Sequence, residues 1–192
     1  MKKIIPLLAV LLFTSMLAAQ DLIINDTVYN AGFYTSFEEF KYNKPSIPFN
    51  YETKSVTYNA RGGEVTYHRI NFKKKVAKSL GVIFGFCDGK HVYILDEPRE
   101  VIPNSRYMHI QTFGKFCYFE DRAAKVGHNN SQTIFLLPCL LNIETGEIIK
   151  VDKTNLPELL ANHKDLLEAF EQEKKQYKVV KDYLLKYLEE VE

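Results

Sequence analysis

Tryptophan is missing from this 192-residue chain, cysteine occurs only three times, and neither sign of charge is in excess. Each shortage excludes something. With 25 basic and 24 acidic residues there is no global field to gather nucleic acid or an anionic membrane, and neither partner is expected. Three cysteines cannot build a disulfide framework, and at least one must stay unpaired. No cysteine stands in a Cys-x-x-Cys context and no histidine at the His-Glu-x-x-His spacing, so no local metal site is written here, and neither metal nor cofactor is expected. Internal repeats and low-complexity tracts are also missing.

What is present begins with an address. The chain opens MKKIIPLLAVLLFTSMLAAQ: two lysines, an apolar run from Ile4 to Leu17, then Ala18 and Ala19. That is the layout of a secretory signal peptide over residues 1–19, and the run is shorter than the roughly 20 residues of a spanning helix. No cysteine follows it to carry a lipid. The expected mature chain, 20–192, is periplasmic or secreted and without a transmembrane segment. Losing Lys2 and Lys3 leaves 23 bases against 24 acids. What remains is enough for one domain with its own core.

Twelve tyrosines and thirteen phenylalanines point to a sheet with aromatic faces. Residues 21–34, DLIINDTVYNAGFY, read as one or two short strands. In TSFEEF, Thr35 or Ser36 stands three residues before Glu38 or Glu39, a capping box for a helix that Pro45 ends. YETKSVTY and EVTYHRINF, separated by Asn59, Gly62 and Gly63, read as a hairpin. Residues 73–80 carry conflicting signals and receive no element, because Phe72, Val76 and Leu80 share a helical face while three lysines at the start oppose the helix dipole. Three hairpins then follow in series, turning at Asp88-Gly89, near Gly114 and at Gly146. The polar segment 121–132 between the second and third is the longest expected loop.

From Asn155 the period changes. Asn155 and Glu158 make a second capping box, and Leu166, Phe170, Tyr177, Val180, Leu184 and Val191 form one apolar stripe. A break at 162–165 splits a short helix from a long one. The expected fold is α+β: an antiparallel twisted sheet or partly closed β-barrel built of hairpins over 20–152, one short N-terminal helix, and C-terminal helices over 153–192 that cover the sheet.

The runs Gly32-Phe33-Tyr34, Phe37-Glu38-Glu39-Phe40 and Asn43-Lys44-Pro45-Ser46 resemble a family of uncharacterised exported proteins common in Bacteroidota. So do Gly85-Phe86-Cys87-Asp88-Gly89-Lys90 and Gly114-Lys115-Phe116-Cys117-Tyr118-Phe119. The resemblance implies a domain of unknown function spanning most of the mature chain, and no activity.

One stretch raises chemistry. GFCDGKHVYI places Cys87, Asp88 and His91 within five positions, the ingredients of a thiolate and its base. A two-residue turn at Asp88-Gly89 sends Cys87 and His91 to opposite faces. A three-residue loop with Gly89 left-handed leaves Cys87 in the turn and gathers Val82, Phe84, Phe86, Val92 and Ile94 on one face. Neither register joins nucleophile to base. The remaining histidines, 68, 109, 128 and 163, fall on separate elements. Because export favours oxidation, a Cys87–Cys117 bridge is expected between neighbouring hairpins, with Cys139 buried in LLPCLL. Asp26-Thr27-Val28 resembles an acceptor pattern for O-linked glycans at Thr27. The expected function is therefore non-enzymatic binding of a protein, glycan or small ligand through the sheet or the 121–132 loop. The rivals are a cell-envelope hydrolase with a nonlocal site and a barrel-like carrier of an apolar ligand.

Overall fold

The computed structural model describes residues 22–25, 28–126 and 131–191. The expected signal segment 1–19, the expected acceptor Thr27 and His128 lie outside the described residues. Among those described, a short 3₁₀ turn (Ile23–Asn25) leads to β1 (Gly32–Tyr34), α1 (Phe37–Lys41), β2 (Thr53–Ala60), β3 (Gly63–Ile70) and α2 (Lys74–Leu80). Then come β4 (Val82–Cys87), β5 (Val92–Glu100), β6 (Arg106–Thr112), β7 (Phe116–Val126), β8 (Gln132–Asn142) and β9 (Ile148–Lys150). The chain ends in α3 (Leu156–Leu159), α4 (Lys164–Glu171) and α5 (Val180–Val191).

All nine strands belong to one antiparallel, curled sheet, a half-barrel in an α+β fold. Its order is β1-β4-β5-β6-β7-β8-β9, with the β2–β3 hairpin joined at β6. That branch sets the architecture. Along one edge β6 pairs first with β3, Arg69 opposite Arg106 and Tyr67 opposite Met108, and then with β7 from Ile110 onward. The hairpin and β7 therefore diverge from a common strand. They meet again at the hairpin tip, where the Arg61 amide donates to the Ile134 carbonyl at 2.8 Å and Arg61 bridges Phe135 in parallel.

Local chemistry explains the helices. At the start of α1 the Ser36 hydroxyl accepts the Glu39 amide at 3.2 Å, and the Glu39 carboxylate accepts both the amide and the hydroxyl of Thr35. The capping box is thus shared between two hydroxyl residues. The lysine-rich stretch folds as α2 with Ala77 buried; apolar burial of one face outweighs the unfavourable dipole. At the C-terminus the long helix is broken into α4 and α5. Asn155 does not cap α3 with its side chain but accepts the Asp152 amide at 2.8 Å, closing the turn before the helix.

Three apolar clusters fill the molecule. One face of β4–β8 buries Ile94, Met108 and Phe119 together with Phe40 of α1. The opposite face of the first strands packs Phe33, Phe86 and Tyr93 with Phe72 and Ala77. The C-terminal helices lay Phe170, Leu184 and Leu188 over Tyr118, Leu140 and Val151. Lys181 of α5 pins this layer by pairing with Glu120 of β7. No helix among the described residues is long and apolar enough to cross a membrane.

Two expectations are corrected. The segment 121–132 is not a long loop, since β7 continues to Val126 and β8 begins at Gln132. Residues 121–126 form a ribbon with no buried residue, which sequence cannot distinguish from a loop. The three cysteines are buried and none is in a disulfide, so no Cys87–Cys117 bridge exists. Consecutive hairpins proved to be a misleading guide: β5 and β6 lie between β4 and β7. Three strand steps separate the two Cα atoms by on the order of 14 Å along the sheet, about twice what a disulfide spans.

Candidate functional site

The β4–β5 connection is the natural starting point, because the reactive-looking residues lie there. Cys87 pairs with Val92, which leaves Asp88, Gly89, Lys90 and His91 as a four-residue loop, longer than either expected register. Asp88 organises it: its Oδ1 accepts the amides of Lys90 at 2.9 Å and His91 at 2.7 Å, and the Tyr93 hydroxyl donates to Oδ2 at 3.1 Å. Burial alone would raise the Asp88 pKa. The donated amides and the hydroxyl win, and hold its carboxyl below the ordinary value. Gly89 takes φ 92°, a conformation that side chains with a Cβ resist.

Cys87 is not a nucleophile in this setting. It is fully buried in the cluster with Val92 and Ile94, and burial pushes its thiol up to about 11, so no thiolate forms near neutrality. Its sulfur accepts the Gly89 amide at 3.2 Å. His91 stands on the other face of the ribbon, with Tyr93. The opening trio is a turn, not a thiol with its base.

The same loop reveals what the sequence reading missed. His91, His109 of β6 and His68 of β3 converge on one face. The rings of His91 and His109 are 5.1 Å apart, those of His68 and His109 are 6.3 Å apart, and His68 lies 4.5 Å from Tyr93. Asp88 Oδ2 is 3.7 Å from His91 Nδ1, and the Ser55 hydroxyl is 3.3 Å from His68 Nδ1. Desolvation, then the neighbouring imidazoles, push His109 down to about 4, and burial likewise lowers His68. At neutral pH these two rings are uncharged hydrogen-bonding groups. Among the described residues no set of three acids, thiols or imidazoles is arranged to hold a metal ion.

Beside this patch opens a cleft of about 690 Å³, lined by Phe49, Tyr51, Glu52, Asp88, Lys90 and His91, among others. Phe49 stacks on Phe86 at 4.7 Å, and Tyr51 packs edge-on against Phe72 while remaining 38% exposed. The cleft joins an aromatic floor to carboxylate, ammonium and imidazole groups. It can stack and hydrogen-bond a polar ligand; Thr53 adds a hydroxyl to its lining, and the Ser55 hydroxyl beside His68 lies in the adjoining patch.

The other expected residues lie apart. Gly114 sits in the loop between β6 and β7, and Gly146, at φ 76°, closes the reversal after β8. There Asn142 Oδ1 takes the Glu144 amide at 2.8 Å. Cys117 and Cys139 are buried in the same cluster as Cys87. His163 bonds Glu190 and so ties the start of α4 to the end of α5.

No curated protein and no solved structure matches the chain. A family model does match, across residues 32–192, from the first strand through the last helix. The chain therefore belongs to DUF6563, a family of unknown function.

Proposed function

We propose that this is an exported, non-enzymatic binding module whose cleft at the β4–β5 turn takes a polar ligand of the saccharide class. One observation carries the reading: an aromatic floor, Phe49 and Tyr51, is rimmed by the donors and acceptors of Glu52, Asp88, Lys90 and His91. Rings stack on the apolar faces of pyranoses, and the rim groups match hydroxyls with donors and acceptors. The buried, neutral Cys87 speaks for binding over thiol catalysis. The space behind the sheet is filled by Phe84, Met108 and Phe119, which favours a surface site over a carrier's interior cavity.

Calorimetry with soluble neutral oligosaccharides tests the ligand. At least one should bind, and Tyr51→Ala should weaken it by about 10-fold; absence of binding across gluco-, chito- and xylo-oligosaccharides, or indifference to Tyr51→Ala, would refute it. Export is tested separately. N-terminal sequencing of protein made in its own cell should begin at Gln20, whereas a retained Met1 would refute it.

A further inference from the structure

The β2–β3 hairpin brings together cations that no ion pair among the described residues neutralises. Lys54 on β2 lies opposite Arg69 on β3, and Arg69 lies opposite Arg106 on β6, so three positive side chains form one row across three adjacent strands. Like charges placed opposite one another across a sheet are destabilising. A fourth cation closes on the same spot. The guanidinium carbons of Arg69, Arg106 and Arg122 stand 5.0, 5.7 and 6.0 Å from the ring centre of Tyr67, and Arg122 also lies 5.1 Å from that of Tyr58. Arginine is charged at every accessible pH, so this convergence cannot be relieved by deprotonation.

Carboxylates do not relieve it either. Among the described residues no ion pair reaches Arg69, Arg106 or Arg122. Arg69 spends one nitrogen on the Tyr67 hydroxyl at 2.7 Å, but its Nε is buried and has no partner among the described residues. A desolvated N–H on a cation is costly to leave unmet. Lys54 and Arg69 both line a cleft of about 400 Å³, whose only lining carboxylate among the described residues, Glu52, is ion-paired to neither.

We infer that this row is a binding site for an oxyanion, a carboxylate, sulfate or phosphate group of a small ligand, held by the Arg69 and Arg106 guanidiniums with Lys54 beside them. The planar fork of arginine matches two oxygens of such a group, and its Nε is one of the two donors a bidentate contact uses. Tyr58 and Tyr67, stacked at 5.4 Å and joined through their hydroxyls at 2.8 Å, hold the guanidiniums from behind. The site shares Glu52 and Thr53 with the lining of the cleft proposed above but none of its aromatic or imidazole groups, so loss of saccharide binding by Tyr51→Ala leaves it untouched.

The test titrates the purified protein with sulfate, phosphate or glucuronate against chloride at matched ionic strength. The readouts are calorimetry and the NMR signal of the Arg69 Nε–H. At least one anion should bind saturably with a Kd of about 1 mM or tighter and move that signal. Sulfate and phosphate alone would identify a tetrahedral dianion, and glucuronate alone a carboxylate; either outcome supports the site. Because Arg69→Gln can disturb the Tyr67 packing, the main variant is the exposed Arg106→Gln, which should weaken binding about 10-fold. Lys164→Gln, on exposed α4, should leave it unchanged. No saturable binding by any of the three anions overturns the inference. So does equal weakening by Lys164→Gln, which would reveal only a diffuse charge effect.

Discussion

Gly85 offers the sharpest test of the fold. It pairs with Ile94 in the middle of β4, beside an irregularity in the register, and is buried. A methyl group placed there would fall on the Tyr93 carbonyl oxygen and stand 3.1 Å from the Ile94 Cα, both backbone atoms of the neighbouring strand. Non-bonded carbon needs about 3.5 Å, so β4 and β5 must part by roughly 1 Å locally. Ladder bonds of about 2.9 Å do not survive that shift. Losing one or two of them in a dry site, at about 1–3 kcal/mol each, puts Gly85→Ala at about 3–5 kcal/mol of destabilisation. Gly81 is the control, because a methyl group there meets nothing within 4 Å and the only cost is its backbone, φ 67° with ψ −144°, a region that favours glycine strongly. Gly81→Ala should therefore cost about 1–3 kcal/mol, all of it backbone strain. Equilibrium urea melts followed by circular dichroism compare the two. A Gly85→Ala cost below about 1 kcal/mol, or one smaller than that of Gly81→Ala, would refute the strand contact.

Three further outcomes follow from the same geometry. Thiol titration should find no fast-reacting group in the native protein and three after denaturation without reductant, since all three cysteines are buried and none is in a disulfide; a rapid native thiol mapped to Cys87 would revive thiolate chemistry. His109 is held below its unfolded value of about 6.5, so the unfolded chain takes up the proton first. Stability is then full above pH 6.5 and falls as pH drops towards about 4, while the lowered carboxyl of Asp88 adds its own loss only below its ordinary range. Discounted for solvent screening, His109 contributes about 1–2 kcal/mol across that window, and His109→Gln should flatten the slope of melts between pH 7.5 and 5; an unchanged slope would count against the burial argument. A chain ended at Asp152 uncovers Tyr118, Leu140 and Val151 and should be insoluble or bind a hydrophobic dye. A folded, monomeric fragment would make the C-terminal helices an independent arm.

The α+β class, the hairpin run and the covering C-terminal helices were legible because they rest on local signals. Alternation marks the strands, hydroxyl–carboxylate spacing marks α1, and the apolar stripe that includes Phe170 and Leu184 marks the helices. Sites that depend on non-consecutive pairing were not. His68 reaches His109, and Arg69 reaches Arg106, only because β3 pairs with β6 across the intervening β4–β5 ribbon. No spacing in the chain encodes that jump. The assumed Cys87–Cys117 bridge failed for the same reason, since order along the chain was taken for adjacency in the sheet. Residues 121–126 illustrate a different limit: a strand with no buried face has no pattern to display.

The hairpin that branches from β6 is paired at two places, three residue pairs at its root and the Arg61 clasp on β8 at its tip, with Arg122 of β7 over Tyr58 and Tyr67 between them. Between them β2 pairs with β3 alone and is largely exposed. Such an element should open as a unit at a free energy below that of global unfolding, so its amides should exchange with deuterium earlier than those of β5 or β8. Lys54, Tyr58, Tyr67 and Arg69 all ride on it. Occupancy of the arginine row would then register first as slowed exchange along β2 and β3, a readout of local order that needs no knowledge of what the ligand is.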